Sequence, residues 1–372
     1  MEIAVDAAAL NFRDVLKALR LYPTDAPDAD ILGDECAGRV VRVGQDVSDL
    51  KPGDRVIALG GGCLASHVVV ERARVMPMPD GLPPAAAAGL LVPYMTAWRA
   101  LAEVGRLEPC ERVLVHAGAG GVGLAAIMLA RALGAEVFAT AGSQIKREFL
   151  RALGVRHVFD SRSASFVDGV MAATGGEGVD ILVNSLSGPL LAAGFEALRR
   201  DGRFIELGKR DIEADAQIGL RHFRRGLTYA AVDLSNLGPT SRYIRIIEAL
   251  SRLLAAGQIG PVAHGEYAAD DVADAFAEMS RSAHIGKIVL TFAANQLRAP
   301  PATEAFQADA NGAYVVTGGA RGFGIRMAAW LARIGARRIA IVSRSGQVPE
   351  DQAPFLNAIR DAGAEAIVLA AD

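Results

Sequence analysis

Eight consecutive residues, His116-Ala117-Gly118-Ala119-Gly120-Gly121-Val122-Gly123, have the types and spacing to hold a dinucleotide. Gly118, Gly120 and Gly123 fit G-x-G-x-x-G. In that spacing one glycine makes a tight turn, one lets backbone approach a pyrophosphate, and one lets helix pack on strand. Gly121 and Val122 then open a helix whose free N–H groups suit phosphates. Further on, Ala141-Gly142-Ser143-Gln144-Ile145-Lys146-Arg147 has no acid before Glu148. NAD enzymes place an acid there against the ribose, whereas NADP enzymes place cations near the 2′-phosphate. Ser143, Lys146 and Arg147 therefore favour NADPH, with Arg162 a further candidate contact. The bland alternative is a solvated first helical turn, although two cations at a helix start are unfavourable without an anion. Lys209 lies just past a strand-like run, where ligand sites of α/β sheets gather. A cation there can stabilise an oxyanion or deliver a proton. The competing reading is a solvated surface lysine.

The elements around these residues alternate as such a site requires. Arg112–Val115 reads as a strand and Leu124–Leu133 as a helix ending at Gly134. Ala135–Thr140 reads as the next strand, giving one βαβ unit. Two later strands end at Asn184-Ser185 and Leu207-Gly208, so Asn184 and Gly208 are placed with the cofactor. Residues 105–235 thus form a parallel-sheet Rossmann domain. Residues 1–104 are rich in short strands and turns, with Arg39–Gly44 and Asp54–Leu59 as strands and 83–102 as a helix started by Pro83 and Pro84. Residues 240–293 carry helical periodicity in Ile244, Ile247, Leu250, Leu253 and Leu254 and then a strand, Lys287–Thr291. Residues 294–311, rich in Ala, Pro, Asn and Gln, read as a linker. In 312–372 the pattern restarts: strand Tyr314–Thr317, glycine turn Gly318–Gly324, helix, strand Arg338–Val342. The fold class expected is α/β, with a β-rich domain, a doubly wound Rossmann domain and a partial second Rossmann unit.

The 372 residues suit two or three domains. Ala, Val, Leu and Gly dominate, as in proteins with buried parallel strands. A formal net charge of −3, with no dense basic run, argues against nucleic acid as a partner. No apolar run reaches the roughly 20 residues of a membrane span. The first residues lack the basic and apolar regions of a signal peptide. The three cysteines, Cys36, Cys63 and Cys110, form no C-x-x-C pair, so a reducing cytoplasm is the default location.

Several motifs occur together: Leu10-Asn11-Phe12-Arg13-Asp14-Val15-Leu16, Gly33-Asp34-Glu35-Cys36-Ala37-Gly38, the glycine loop, Asn184-Ser185-Leu186 and Glu206-Leu207-Gly208-Lys209-Arg210-Asp211-Ile212. In this order they resemble the enoylreductase domains of modular polyketide synthases and animal-type fatty acid synthases, in the zinc-free, quinone-oxidoreductase-like branch of the medium-chain dehydrogenases. The resemblance covers residues 1 to about 293 and implies a GroES-like substrate domain, made of 1–104 and 236–293, beside the Rossmann domain. The tail, with Thr317–Gly324 and Ser343-Arg344-Ser345-Gly346, resembles the opening of a short-chain-type β-ketoreductase. The chain thus resembles an excised piece of a megasynthase that starts inside the first strand.

The resemblance implies an α,β-unsaturated acyl thioester on an acyl carrier protein, reduced by hydride from NADPH. The neighbouring synthase domains it implies are ketoreductase and dehydratase. Homodimerisation is left open, because oligomeric state varies among these relatives. By the same carry-over, Lys209 and Tyr22 become candidates for the proton donor. Asp233 becomes the acidic partner of Lys209, although its spacing is slightly longer than the common pattern. Asn11, inside the most diagnostic motif, can bond a carbonyl. Their bland readings are a packed tyrosine, a turn or cap aspartate, and a turn asparagine. Zinc dehydrogenases of this superfamily carry Gly-His-Glu where this chain has Gly33-Asp34-Glu35, so no metal is expected. His116 reads as a packing or capping residue. In the tail, Gly318, Gly322 and Gly324, with Ser343 and Arg344, are a candidate second cofactor site without its catalytic half. The rival functions are a stand-alone quinone or alkenal reductase and a catalytically silent scaffold domain.

Overall fold

A computed structural model describes residues 1–22, 28–234, 237–238, 240–292 and 306–371. The chain divides into two compact units, Met1–Leu297 and Arg298–Asp372. Most of the expected linker, 294–305, lies outside the described residues.

The first unit opens with β1 (Glu2–Leu10), β2 (Glu35–Arg42), β3 (Arg55–Leu59), β4 (His67–Val69) and β5 (Val75–Pro77). Six parallel strands follow: β6 (Arg112–Val115), β7 (Glu136–Ala141), β8 (His157–Asp160), β9 (Val179–Asn184), β10 (Leu198–Glu206) and β11 (Thr228–Ala231). The chain then returns through β12 (His264–Ala268) and β13 (Lys287–Thr291) to the first sheet. There the order among the described residues is β12-β13-β1-β2-β3-β5, with β4 also on β1. β1 is the hub, antiparallel to β13 and β2. Ala7 and Ala9 join one core cluster, while Ile3, Val5 and Ala8 join another. Odd and even positions share a face because the register shifts between Val5 and Ala7.

The second sheet runs β11-β10-β9-β6-β7-β8. Its order reverses at β6, which lies between β7 and β9. Ligands of open parallel sheets gather at the carboxyl ends of the strands beside such a switch. The glycine loop follows β6 and Asn184 ends β9, so both stand at that point.

The expected helix over 83–102 is interrupted. It is Pro84–Ala88, then Leu91–Trp98, continued by a wider π turn, Arg99–Val104. Pro93 has no N–H to bond back to residue 89, and Gly89 is a weak helix former. Gly89 has another use: a Cβ there would sit 3.1 Å from Lys287 Cγ.

The second unit holds three parallel strands, β14 (Ala313–Thr317), β15 (Arg338–Ser343) and β16 (Glu365–Ala370), in that order. Helices Gly322–Arg333 and Ala353–Asp361 pack on it through a small core that includes Ile325, Ala328, Ile339, Ile341 and Ile359. Val315, Ile367 and Leu369 remain exposed.

Candidate active site and cofactor cleft

The glycine loop joins β6 to the helix Gly121–Ala132, with Gly120 at the N-cap. The three glycines divide their work differently from the sequence expectation. The left-handed turn falls on Ala117, at φ +49. Gly118 serves packing, since a Cβ there would meet Ala139 Cβ at 3.0 Å. A Cβ on Gly123 would lie 2.4 Å from the Ala117 carbonyl oxygen, so only glycine lets the helix approach the loop. At Gly120 the nearest atom is the same oxygen at 3.4 Å, an ordinary contact. The space beside Gly120 is therefore open, at a helix start with free N–H donors, as a pyrophosphate requires. His116 is buried against Phe166 and bonded to Thr140 Oγ1 at 2.8 Å. Burial lowers its pKa to about 3, so it is a neutral packing residue.

Past the end of β7, Ser143 caps the helix Gln144–Ala152 by accepting from the Lys146 N–H. Lys146 Nζ donates to the Ser282 carbonyl at 2.7 Å. Its pKa is lowered, first by burial and then by the nearby Arg162 cation. Arg162 lies over Gly142. Two mutually repelling cations, neither paired with a carboxylate among the described residues, make a site suited to an anion. Arg147 is engaged elsewhere: it donates to the Ala141 carbonyl at 3.1 Å and pairs with Asp160 at 3.2 Å.

Asn184 is fully buried. Its Nδ2 donates to Glu206 Oε2 at 2.6 Å and to the Leu186 carbonyl at 2.8 Å. Glu206 Oε1 accepts from the Gly208 N–H at 2.6 Å. The side chain of Asn184 is thus a brace between the loops after β9 and β10, and Gly208 contributes through its backbone. Glu206, which the sequence reading gave no role, is the other half of that brace. Burial pushes its pKa up to about 7, against the lowering effect of these hydrogen bonds.

Three of the four residues expected to be catalytic come together. Lys209 Nζ is 2.7 Å from Asp233 Oδ2 and 3.3 Å from the Tyr22 hydroxyl. Burial works to lower the Lys209 pKa, but Asp233 and Tyr22 outweigh it and the net shift is upward. Tyr22 is 7% exposed. Arg13 and Lys17, unremarked as site residues in the sequence, also lie over its ring, at 5.2 and 5.5 Å. Both pair with Asp28 and with Asp34. Asp34 is mostly buried, and burial with the Asp14 charge raises its pKa to about 6. Where a zinc dehydrogenase has its histidine, this chain therefore has an acid facing cations. Among the described residues, no group of three His, Cys, Asp or Glu is placed to hold a metal ion.

Asn11 stands apart from that trio, beside the glycine loop. Its Oδ1 accepts from Lys287 Nζ at 2.7 Å, and Lys287 pairs with the fully buried Glu35 at 2.8 Å. In the second unit, Gly318 and Gly322 adopt positive φ and a Cβ on either would meet nothing within 4 Å. Gly324 is close-packed on the Gly318 carbonyl oxygen, which would lie 2.5 Å from a Cβ. Ser343 Oγ accepts from the Gly346 N–H, and Arg344 is exposed.

Comparison with known proteins agrees with this fold. Residues 1–80 match the alcohol dehydrogenase GroES-like domain, 121–252 the zinc-binding dehydrogenase family and 312–372 the KR domain. The chain is 41% identical over 359 residues to a phenolphthiocerol/phthiocerol polyketide synthase of Mycobacterium tuberculosis. That match takes in 95% of this chain and 16% of the synthase. Among solved structures, the CurK enoyl reductase is 34% identical with a TM-score of 0.72, over 78% of this chain and 90% of that one. The CurF ER cyclopropanase from the curacin A biosynthetic pathway is 32% identical over the same shares, also with a TM-score of 0.72. A quinone oxidoreductase from Escherichia coli, solved with NADPH, is 25% identical with a TM-score of 0.67, over 78% and 90%.

Proposed function

The chain belongs to the enoyl reductase domains of polyketide synthases, and we propose that it reduces the α,β double bond of an enoyl thioester carried on an acyl carrier protein, using NADPH. One observation carries the proposal. The Lys209–Asp233–Tyr22 cluster and the open face of Gly120 sit at the carboxyl ends of the same parallel sheet, on β10–β11 and β6. With β9 between, β10 and β6 are two strand spacings, ~10 Å, apart.

NADPH, when bound, supplies the hydride for the β-carbon. The chain's own residues do the rest. The N–H groups at the start of Gly121–Ala132 receive the pyrophosphate. Lys146 and Arg162 receive the 2′-phosphate, while Arg147 holds the supporting helix to β8. Negative charge that develops on the thioester oxygen is stabilised by the Lys209 ammonium. Asp233 keeps that ammonium charged and aimed. The α-carbon takes its proton from Lys209 or from the Tyr22 hydroxyl beside it. Asp34 faces Arg13 and Lys17 where the zinc dehydrogenases carry a histidine ligand, and no proposed step is routed through a metal. Other synthase domains are the natural neighbours, since residues 312–372 match the KR domain.

The test is turnover of crotonyl pantetheine thioester with NADPH, against NADH and against free quinones. The proposal expects a saturated thioester and preference for NADPH. Reduction of quinones with none of the thioester would assign the chain to the stand-alone reductases. No NADPH binding at all would make it a silent scaffold.

A further inference from the structure

Lys287 is 4% exposed and sits at the first position of β13. Its ammonium has three bonds: the Leu10 carbonyl at 2.6 Å, Asn11 Oδ1 at 2.7 Å and Glu35 Oε1 at 2.8 Å. Glu35 Oε2 is held in turn by the Val92 N–H at 2.8 Å. The lysine stem runs along glycines. A Cβ on Gly121 would lie 2.5 Å from Lys287 Cδ, and one on Gly89 would lie 3.1 Å from Cγ. The residue before it, Gly286, donates its N–H to the Ala119 carbonyl at 2.7 Å. Residues 286 and 287 thus join the glycine loop to the wall that carries Asn11.

A buried lysine paired with a buried glutamate is weak evidence for stability alone, because desolvation offsets most of the attraction. Its consequence for Asn11 is specific. An ammonium only donates, so the atom facing it must be the amide oxygen. The amide nitrogen is thereby the half of the group left to donate. One of its protons makes a long contact to Glu35 Oε1 at 3.4 Å, and Asn11 remains partly exposed.

We propose that Lys287 is a positioning residue, which fixes Asn11 as a hydrogen-bond donor into the cleft for a carbonyl oxygen of bound substrate or cofactor. This inference rests on the enoyl reductase reading for its substrate, but not for its geometry.

The test is a double-mutant cycle of Lys287→Met and Asn11→Ala. Methionine keeps an unbranched stem against Gly121. Glu35→Gln accompanies Lys287→Met wherever that substitution is made, so that no buried carboxylate is left unpaired. Each variant is expected to lose roughly 10-fold in kcat, as for other residues that orient a reacting group's partner. The double variant is expected to be no worse than Asn11→Ala. If the carbonyl belongs to the thioester, NADPH affinity is unchanged in both. If it is the nicotinamide carboxamide, both weaken NADPH equally. Additive losses, or an unchanged kcat in Lys287→Met, would overturn the assignment. A readout independent of turnover uses protein labelled with ¹⁵N in its six asparagines. The Asn11 side-chain NH₂ resonance should move in Lys287→Met, and an unmoved resonance contradicts the bond. A wild type inert toward enoyl thioesters would refute the proposed function, while the labelled amide would still decide this inference.

Discussion

Lys209 Nζ and Asp233 Oδ2 stand 2.7 Å apart although 24 residues separate them in the chain. The register of two neighbouring parallel strands brings them there. Glu206 on β10 pairs with Ala231 on β11. Lys209 lies three residues past one partner and Asp233 two past the other, so both leave the sheet at the same mouth. Lys209→Met should lower kcat by about 100-fold with NADPH affinity retained, as for other electrostatic stabilisers of developing charge. Equal rates for variant and wild type would return this lysine to the surface.

The same pair sets a pH dependence. Asp233 and Tyr22 raise the Lys209 pKa above its ordinary 10.5, against burial. The lysine's contribution is therefore complete below that value and is lost as pH rises through the higher folded one. With its side chain 38% exposed, it is worth under about 1 kcal/mol of stability. In Asp233→Asn burial is left unopposed by that carboxylate, so the alkaline limb of kcat should move to lower pH. A limb that stays in place would show that Lys209 does not govern it.

Gly120 and Gly123 should fail in different ways. Gly120→Val should abolish NADPH binding and leave the thermal midpoint nearly unchanged, because the first added atom meets only an ordinary contact at 3.4 Å. Gly123→Ala should instead destabilise the fold, since its Cβ would lie 2.4 Å from backbone oxygen. Fluorescence titration and calorimetry on both variants separate the two outcomes. Micromolar NADPH binding by Gly120→Val would contradict the pyrophosphate assignment.

Lys146→Ala should weaken NADPH by roughly 10-fold or more and NADH hardly at all, the size expected for one charge-assisted contact. Arg147→Ala should act mainly through stability, because its partner is Asp160. Equal loss for the two cofactors in Lys146→Ala would remove the 2′-phosphate from this corner.

Glu206 gives a pH effect of opposite origin. It is 2% exposed, and its pKa is about 7 against an ordinary 4.5. The folded state holds the proton more tightly, so this stability is complete below pH 4.5 and is lost as pH rises toward 7. Glu206→Gln cannot titrate, and from pH 4.5 to 8 it should gain about 3 kcal/mol relative to wild type. A stability difference constant across that range would contradict the shifted proton.

Local features of this site were legible in the sequence because they obey local rules. The glycine loop, its flanking strands and helix, and Lys209 at a strand end all follow from periodicity and turn residues. Asn11 was legible as a motif, but its partner was not. Lys287 is 276 residues away and starts an apolar strand, where a lysine reads as an edge residue. Only the antiparallel pairing of β1 with β13, Leu10 beside Ile288, brings the two together. The partner of Arg147 was hidden for a similar reason: β7 pairs Ala141 with Asp160 on β8, which puts a carboxylate within its reach. The left-handed turn at Ala117 carried no signal, since alanine seldom adopts that conformation.

Transfer of deuterium from NADPH labelled at the hydride position to 2-methylcrotonyl pantetheine thioester, read by mass spectrometry, tests the central claim most directly. One deuterium on the β-carbon, with a solvent proton on the α-carbon in one configuration, is the predicted result, and Tyr22→Phe should slow the reaction or disturb that configuration. A saturated product without label at the β-carbon, or no product from enzyme that binds NADPH, would contradict the account.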